Sequence, residues 1–127
     1  MKRILVLVSC CLLLASFTTK IGNVSEIVEA LKTSNPAQVS KYFDNAIDIK
    51  LPGKDEVKNV GKNQASIILK SFYSEQNVKG FSLTSQRELG TTGYLTGKLN
   101  ADNKSYNITV MIKTAAQNAS IVTVRIN

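Results

Sequence analysis

Apolar residues at helical spacing predict two helices near the start of the chain. The first is indicated by four residues that stand three and four positions apart: Val24, Ile27, Val28 and Leu31. Asn23 precedes this stripe and is a candidate N-cap. The second, shorter helix is predicted to begin at Pro36, because a missing N–H costs nothing at the first helical position, with Asn35 as its cap. Its buried stripe is predicted to consist of Val39, Tyr42 and Phe43.

A strand and a long helix follow. Alternating apolar and polar residues predict a strand at Ala46–Leu51 with one buried face, and the polar connector after it has room for a short strand near Val57–Val60. Residues 61–76 are predicted to form one amphipathic helix that ends before Gly80. Its apolar stripe is Ala65, Ile68, Leu69 and Phe72, widened by Ile67 and Tyr73.

The hydrophobic period changes to two at Phe81 and remains two to the end of the chain. Four alternating segments are separated by turn residues: FSLTSQREL, GYLTGKLN, SYNITVMIKT and ASIVTVRIN. Such short connections predict an antiparallel meander. Helices followed by a run of strands indicate an α+β fold in which the helices cover one face of the sheet.

The first nineteen residues predict a secretory signal peptide. Lys2 and Arg3 are followed by an apolar run at residues 4–17, which is too short to cross a bilayer of roughly 30 Å. A core helix or a short membrane anchor is the alternative. We expect residues 1–19 to be removed, residues 20–127 to form a single exported domain, periplasmic or secreted, and no membrane span to remain. The letters LVSC also resemble a lipobox ending at Cys10, but the apolar run before it is short, so we favour ordinary cleavage over a lipoprotein.

The charge distribution argues against a nucleic-acid partner. Lys and Arg number 16 against nine Asp and Glu, which gives a net charge of +7. After residue 19, however, the lysines are spread singly, and Arg87 and Arg125 are the two arginines. Nucleic-acid binding would need a clustered basic face. Dispersed lysines predict a solvated surface, with at most weak attraction to anionic polymers or lipids.

The residue inventory excludes most catalytic chemistries. The chain has no histidine, and its two cysteines, Cys10 and Cys11, both lie in the predicted signal peptide. The mature domain therefore has no imidazole base, no thiol nucleophile and no His or Cys metal site. Asp44 and Asp48 offer too few oxygen donors for a calcium loop. They are predicted to be ordinary turn and cap residues. We expect no catalytic residues, no metal and no cofactor.

Four residues are candidates for ligand binding: Arg87, Tyr94, Tyr106 and Tyr73. Arg87 belongs to the more apolar face of its predicted strand and is expected to point to the concave side of the sheet. A buried arginine needs a partner, and an anionic ligand is one solution. The alternative is an arginine at the strand end that extends into water. The three tyrosines would line a pocket with polar tips, and each has ordinary core or rim packing as its alternative.

Three longer segments resemble a family of exported bacteroidete proteins of unknown function: KYFDNAIDIKLPG, NQASIILKSFYSEQN and GKLNADNKSYNITVMIK. Members of this family have a nuclear transport factor 2-like (cystatin-like) cone fold. The resemblance therefore implies N-terminal helices and one long helix packed on a curved, mainly antiparallel sheet, often with a pocket between them. It assigns no activity, substrate or catalytic residue. Gly61 departs from the serine expected as the cap of the long helix, at a cost of a few tenths of a kcal/mol.

Three hypotheses about function follow from these observations. The leading one is a non-enzymatic exported domain that binds a small ligand or a protein partner. The second is an interaction protein without a ligand, which forms a homodimer through the outer face of its sheet. The third is an enzyme that uses a tyrosine or a carboxylate in a pocket.

Overall fold

The structure is a computed structural model that describes residues 24–115 and 118–127. The predicted signal peptide at residues 1–19 and the predicted cap Asn23 lie outside the described residues. So do two residues of the predicted turn between the last two strands.

The two N-terminal helices are α1, Val24–Lys32, and α2, Pro36–Ser40. The apolar stripe of α1 is buried as predicted. Asn35 caps α2 as predicted, since its side-chain oxygen accepts a hydrogen bond from the backbone N–H of Ala37 at 3.0 Å. The predicted helical stripe was too long, however, because Phe43 already pairs with Ile121 as the first residue of a strand.

Six strands and a third helix complete the described part of the chain. They are β1 Phe43–Lys50, β2 Val57–Gly61, α3 Lys62–Gln76, β3 Gly80–Leu89, β4 Thr92–Asn100, β5 Ser105–Ala115 and β6 Asn118–Ile126. The strands form one curved sheet in the order β2-β1-β6-β5-β4-β3. The β1–β6 pair is parallel, and the other four pairs are antiparallel. The predicted α+β fold and the antiparallel meander are confirmed.

Helix α3 packs one face into the core and ends in a left-handed cap. Its buried residues are Ala65, Leu69, Phe72 and Tyr73. Ile67 was wrongly assigned to this stripe, since its side chain is 58% exposed. Asn77 has φ +54°, and the end of α3 is closed by backbone hydrogen bonds to the Tyr73 carbonyl. A left-handed residue after the last turn is a common way to end a helix.

The core lies between the helices and the inner face of the sheet. The inner face is formed by buried residues at alternate positions of the central strands: Leu95, Leu99, Ile108, Val110, Ile112, Ile121, Val124 and Ile126. Helix α3 lies against β1, β2 and α2, while α1 lies against α2 and β3. Residues on the other side of the sheet form what we call the outer face.

A β-bulge in β3 overturns the predicted orientation of Arg87. Leu83 pairs with Gly97, but Ser85 already pairs with Thr96, so one extra residue is inserted at Thr84. An extra residue reverses the alternation of faces from that point onward. Arg87 therefore lies on the exposed outer face and not on the concave side.

Gly97 allows β3 to approach β4 closely next to this bulge. A Cβ atom at this position would lie 2.5 Å from the backbone oxygen of Ser82 and 2.6 Å from the ring of Phe81. No side chain other than hydrogen fits in that space.

Candidate functional site

A surface depression of about 250 Å³ opens at the C-terminal end of α3. Three separate parts of the chain form it: the connector between β1 and β2, the last turn of α3, and the junction of the β4–β5 turn with β5. The lining residues are Leu51, Pro52, Lys54, Phe72, Glu75, Gln76, Lys104 and Tyr106. We call this feature the α3 depression.

Two nearly buried aromatic rings contribute to the lining of the α3 depression. Phe72 and Tyr106 are each 5% exposed, and their rings meet edge to face with centroids 5.2 Å apart. The hydroxyl of Tyr106 donates a hydrogen bond to Oε1 of Gln76 at 2.7 Å. This bond orients the Gln76 amide, whose nitrogen has no hydrogen-bond partner among the described residues. A ligand would thus meet apolar rings together with an oriented amide donor.

The lysines of the α3 depression carry uncompensated positive charge. The ammonium of Lys104 lies 4.9 Å from the ring centroid of Tyr106, within the range of a cation–π interaction. Within the described part of the chain, neither Lys104 nor Lys54 has a carboxylate within 4 Å. Glu75 is the one acid among the lining residues. The lining therefore has an excess of one positive charge.

The wall formed by the β4–β5 turn is tied to the end of α3. The side-chain amide of Asn77 donates to Oδ2 of Asp102 at 2.6 Å, and Lys79 forms an ion pair with the same carboxylate. The backbone N–H of Lys79 also donates to the carbonyl of Asn100 at 2.7 Å. The hydrogen bonds from Lys79 and then from Asn77 lower the pKa of Asp102. These contacts hold the turn that carries Lys104.

Tyr73 lies in the core, and its ring centroid is 6.4 Å from that of Phe72. Its hydroxyl is buried and has no hydrogen-bond partner among the described residues. Burial raises the pKa of Tyr73 to about 12. The phenol is thus held neutral, which makes it a poor general base at neutral pH.

The four predicted binding residues occupy different places. Tyr106 lines the α3 depression and Tyr73 does not, although both rings pack edge to face against Phe72. Arg87 and Tyr94 face each other across β3 and β4 on the outer face. A ligand-binding role for each of the four stays a prediction.

Sequence reasoning missed Lys54, Gln76 and Lys104 because no local pattern marks them. Lys54 and Lys104 come together because β1 runs parallel to β6, which places the end of β1 and the start of β5 at the same edge of the sheet, with the end of β6 between them. The contacts of the C-terminal residue show this: Asn127 accepts hydrogen bonds from the Lys50 side chain and the Asn107 backbone. The sequence does contain one signal: Tyr106 occupies an apolar position of a predicted strand and closely follows a turn that contains Lys104.

A second depression, of about 350 Å³, lies between α1, α2 and the start of β1. It is more open than the α3 depression and contains Glu26, Glu29 and Tyr42. Burial and the neighbouring Glu26, which forms a hydrogen bond with the phenol, raise the pKa of Tyr42. Glu29 forms an exposed contact with Lys32 at 4.0 Å. These are the features of a solvated helix surface, and none of the predicted binding residues lies here.

One row of side chains crosses the outer face from strand to strand. Its members, paired in register from β3 to β1, are Arg87, Tyr94, Met111, Thr123 and Asp48. The row has a positive charge at one end, a negative charge at the other and uncharged residues between them. Its middle member lies on β5, two strands from either end. We call this feature the outer-face row.

Residues 24–115 and 118–127 contain neither a cluster of metal ligands nor a membrane-spanning helix. In these ranges no three His, Cys, Asp or Glu side chains lie close enough together to hold a metal ion. The helices in the same ranges are all too short or too polar to cross a membrane.

Comparison with known proteins agrees with this architecture. A DUF4783 family protein from Bacteroides uniformis is 22% identical with a TM-score of 0.74, over 83% of this chain and 96% of that one. A DUF4783 family protein from Bacteroides ovatus is 20% identical with a TM-score of 0.71, over 82% and 93%. An NTF2-like protein of unknown function from Cytophaga hutchinsonii is 15% identical with a TM-score of 0.56, over 82% and 84%.

Among curated proteins there is no match to the chain. The family model described as DUF4783, a domain of unknown function, matches residues 24–127. The predicted family resemblance and the predicted cone fold are therefore confirmed. The chain belongs to the DUF4783 family, and it has the nuclear transport factor 2-like fold.

Proposed function

We propose that this protein is an exported, non-enzymatic domain that binds a small ligand in the α3 depression. The observation that carries the proposal is the meeting, at one concave place, of Tyr106, the oriented Gln76 amide and two lysines without a carboxylate partner among the described residues. Apolar walls with a few fixed polar groups are typical of ligand sites. Export is proposed from the charged and apolar start of the chain.

Rigid walls support binding at this depression. The Asn77–Asp102 hydrogen bond and the Lys79–Asp102 ion pair hold the β4–β5 turn before any ligand arrives. A preorganised site loses less conformational entropy when it binds. The sequence also lacks histidine, and its cysteines precede residue 20, which favours binding over catalysis.

Native mass spectrometry of the protein purified from its own cell envelope tests this proposal. We expect a chain that lacks residues 1–19 and carries the added mass of a small molecule. The added mass should disappear in Glu75→Trp, whose indole fills the depression. It should persist in Ser71→Trp, which places the same side chain on an exposed part of α3 outside the lining. A wild-type protein without ligand, or a ligand that persists in both variants, would contradict the proposal.

The outer-face row favours a second candidate function, a homodimer formed by two outer faces. A two-fold axis parallel to the strands and above Met111 would place Arg87 of one copy opposite Asp48 of the second copy. Since β5 lies midway between β3 and β1, both charge pairs form together. Lys113, also on β5, is already neutralised by Asp44 at 3.2 Å. Repulsion between the Lys113 side chains of the two copies near the axis is therefore reduced.

Sedimentation velocity over a concentration series tests the homodimer. Arg87→Glu places like charges at both ends of the row and is expected to weaken the dimer. Asp48→Asn should also weaken it, while keeping an oxygen that can accept the Asn59 N–H now bound at 2.9 Å. The matched control is Glu88→Arg, which changes an exposed charge on the adjacent residue of the opposite face. A monomer at every concentration, or equal effects of Arg87→Glu and Glu88→Arg, would remove this candidate.

A further inference from the structure

We infer that the ligand of the α3 depression is a small organic monoanion with a short apolar body. This inference rests on the proposed function and names the chemical class that the same site would bind.

The charges of the lining select an anion. Lys54 and Lys104 have no carboxylate partner in the described residues, whereas Glu75 is the one acid that lines the depression. A carboxylate placed between the two ammonium groups would form charge-assisted hydrogen bonds. The nearby Lys79 does not add to this attraction, because Asp102 already neutralises it.

The helix end determines how the anion must lie. The C-terminal end of α3 carries partial negative charge, and Glu75 lies in the same last turn. An acid group would therefore avoid the helix side and lie toward Lys54 and Lys104. The side facing α3 offers the Gln76 amide N–H, which has no partner within residues 24–115 and 118–127 and suits an uncharged oxygen of the ligand. A single negative charge fits this arrangement, because the two lysines and Glu75 together leave the lining with an excess of one positive charge.

The remaining lining residues require an apolar body of limited size. Leu51, Pro52, Phe72 and Tyr106 contribute carbon surface. The volume of about 250 Å³ lies below the range of roughly 300–1,000 Å³ that holds drug-sized molecules. A ligand with one acid group, an apolar body and a small volume is a short-chain or small-ring carboxylate.

Titration of the ¹⁵N-labelled protein, followed by heteronuclear NMR, tests this chemical class. The probes are hexanoate, 1-hexanol, hexylammonium and acetate, at low ionic strength where charge contributions are least screened. We expect hexanoate to shift the amide signals of Leu51, Gly53 and Lys54 and of residues 75–76 and 104–106, and to bind more tightly than the other three probes. Acetate tests the apolar body, and the other two probes test the charge.

Lysine variants connect the affinity to the named side chains. Lys104→Met and Lys54→Met keep an unbranched apolar side chain and remove the charge, and each should weaken hexanoate binding roughly tenfold. Neither variant should alter the binding of 1-hexanol. The matched control is Lys70→Met, an exposed lysine of α3 outside the lining. An equal loss in Lys70→Met would show attraction to the net charge of the protein and would overturn the inference.

The outcomes separate this inference from the function on which it rests. Binding of 1-hexanol or hexylammonium at least as tight as that of hexanoate overturns the anionic class and leaves the binding site in place. If acetate binds as tightly as hexanoate, the ligand does not need an apolar body, and that part of the inference is wrong. If no probe shifts any lining residue, the inference and the proposed binding site both fail.

Discussion

Tyr73 and Tyr106 both pack against Phe72, but they differ in whether the buried hydroxyl has a hydrogen-bond partner. We call the surroundings of Tyr73 the closed region and the surroundings of Tyr106 the open region. Both side chains are 5% exposed, and both rings stand edge to face against Phe72. The hydroxyl of Tyr106 donates to Gln76, but that of Tyr73 has no partner among the described residues. The region around Tyr73 is therefore apolar packing that tolerates one polar atom. The region around Tyr106 combines packing with oriented polar groups, as a binding site requires.

Phe72→Ala should have the largest effect, because Phe72 belongs to both regions. Removal of a buried phenylalanine ring is expected to lower the free energy of unfolding by about 3–5 kcal/mol. Urea denaturation measures this loss. The control is Ile67→Ala on the exposed side of α3, which should change stability by no more than about 0.5 kcal/mol. A loss below about 1 kcal/mol for Phe72→Ala would mean that the ring does not join the two regions.

Alkaline pH should destabilise the protein because the Tyr73 hydroxyl is buried in the closed region. The Tyr73 pKa is raised from 10.0 to about 12, so the unfolded chain releases this proton before the folded protein does. The stabilising effect is complete below pH 10 and is lost as pH rises through 12. A difference of two pKa units corresponds to about 3 kcal/mol. Urea denaturation at pH 9–12 measures how far the free energy of unfolding falls with pH. The fall should be about 3 kcal/mol smaller in Tyr73→Phe, which has no phenol to ionise. Equal pH dependence of both proteins would place Tyr73 in contact with water.

The secondary structure was largely predictable because it follows from residue periodicity. Helix α3 and the four-strand meander were predicted from spacings of 3.6 and 2. The bulge at Thr84 was not, since its insertion is defined by pairing with Gly97 and Thr96. A continuous alternation in the letters therefore assigned Arg87 to the wrong face.

The site was less predictable than the fold, for a related reason. Tyr106 was identified as a candidate because a tyrosine in a strand has an apolar ring and a polar tip. Its partners Gln76 and Lys104 are ordinary helix-end and turn residues in the sequence. The parallel β1–β6 pairing that completes the depression joins segments about 75 residues apart, and local patterns carry no signal for it.

Tyr73→Phe should stabilise the protein at neutral pH. A buried hydroxyl without a partner costs roughly 1–3 kcal/mol, and its removal leaves the ring contacts with Phe72 unchanged. We expect the free energy of unfolding to rise by about 1–2 kcal/mol in urea denaturation at pH 7. A destabilised variant would show that the hydroxyl makes a hydrogen bond in solution.

Tyr106→Phe should have the smallest effect and the opposite sign. The variant loses the hydrogen bond to Gln76 Oε1, which contributes about 0.5–1.5 kcal/mol to stability. The loss should remain near the low end, because Gln76 is half-buried at the edge of the α3 depression and water can replace the phenol. The two Tyr→Phe variants remove the same atom from neighbours of the same ring, so each is the control for the other. Changes of the same sign in the two variants would mean that the closed and open regions do not differ. If only Tyr106→Phe also weakens ligand retention, binding depends on the oriented amide and not on core stability.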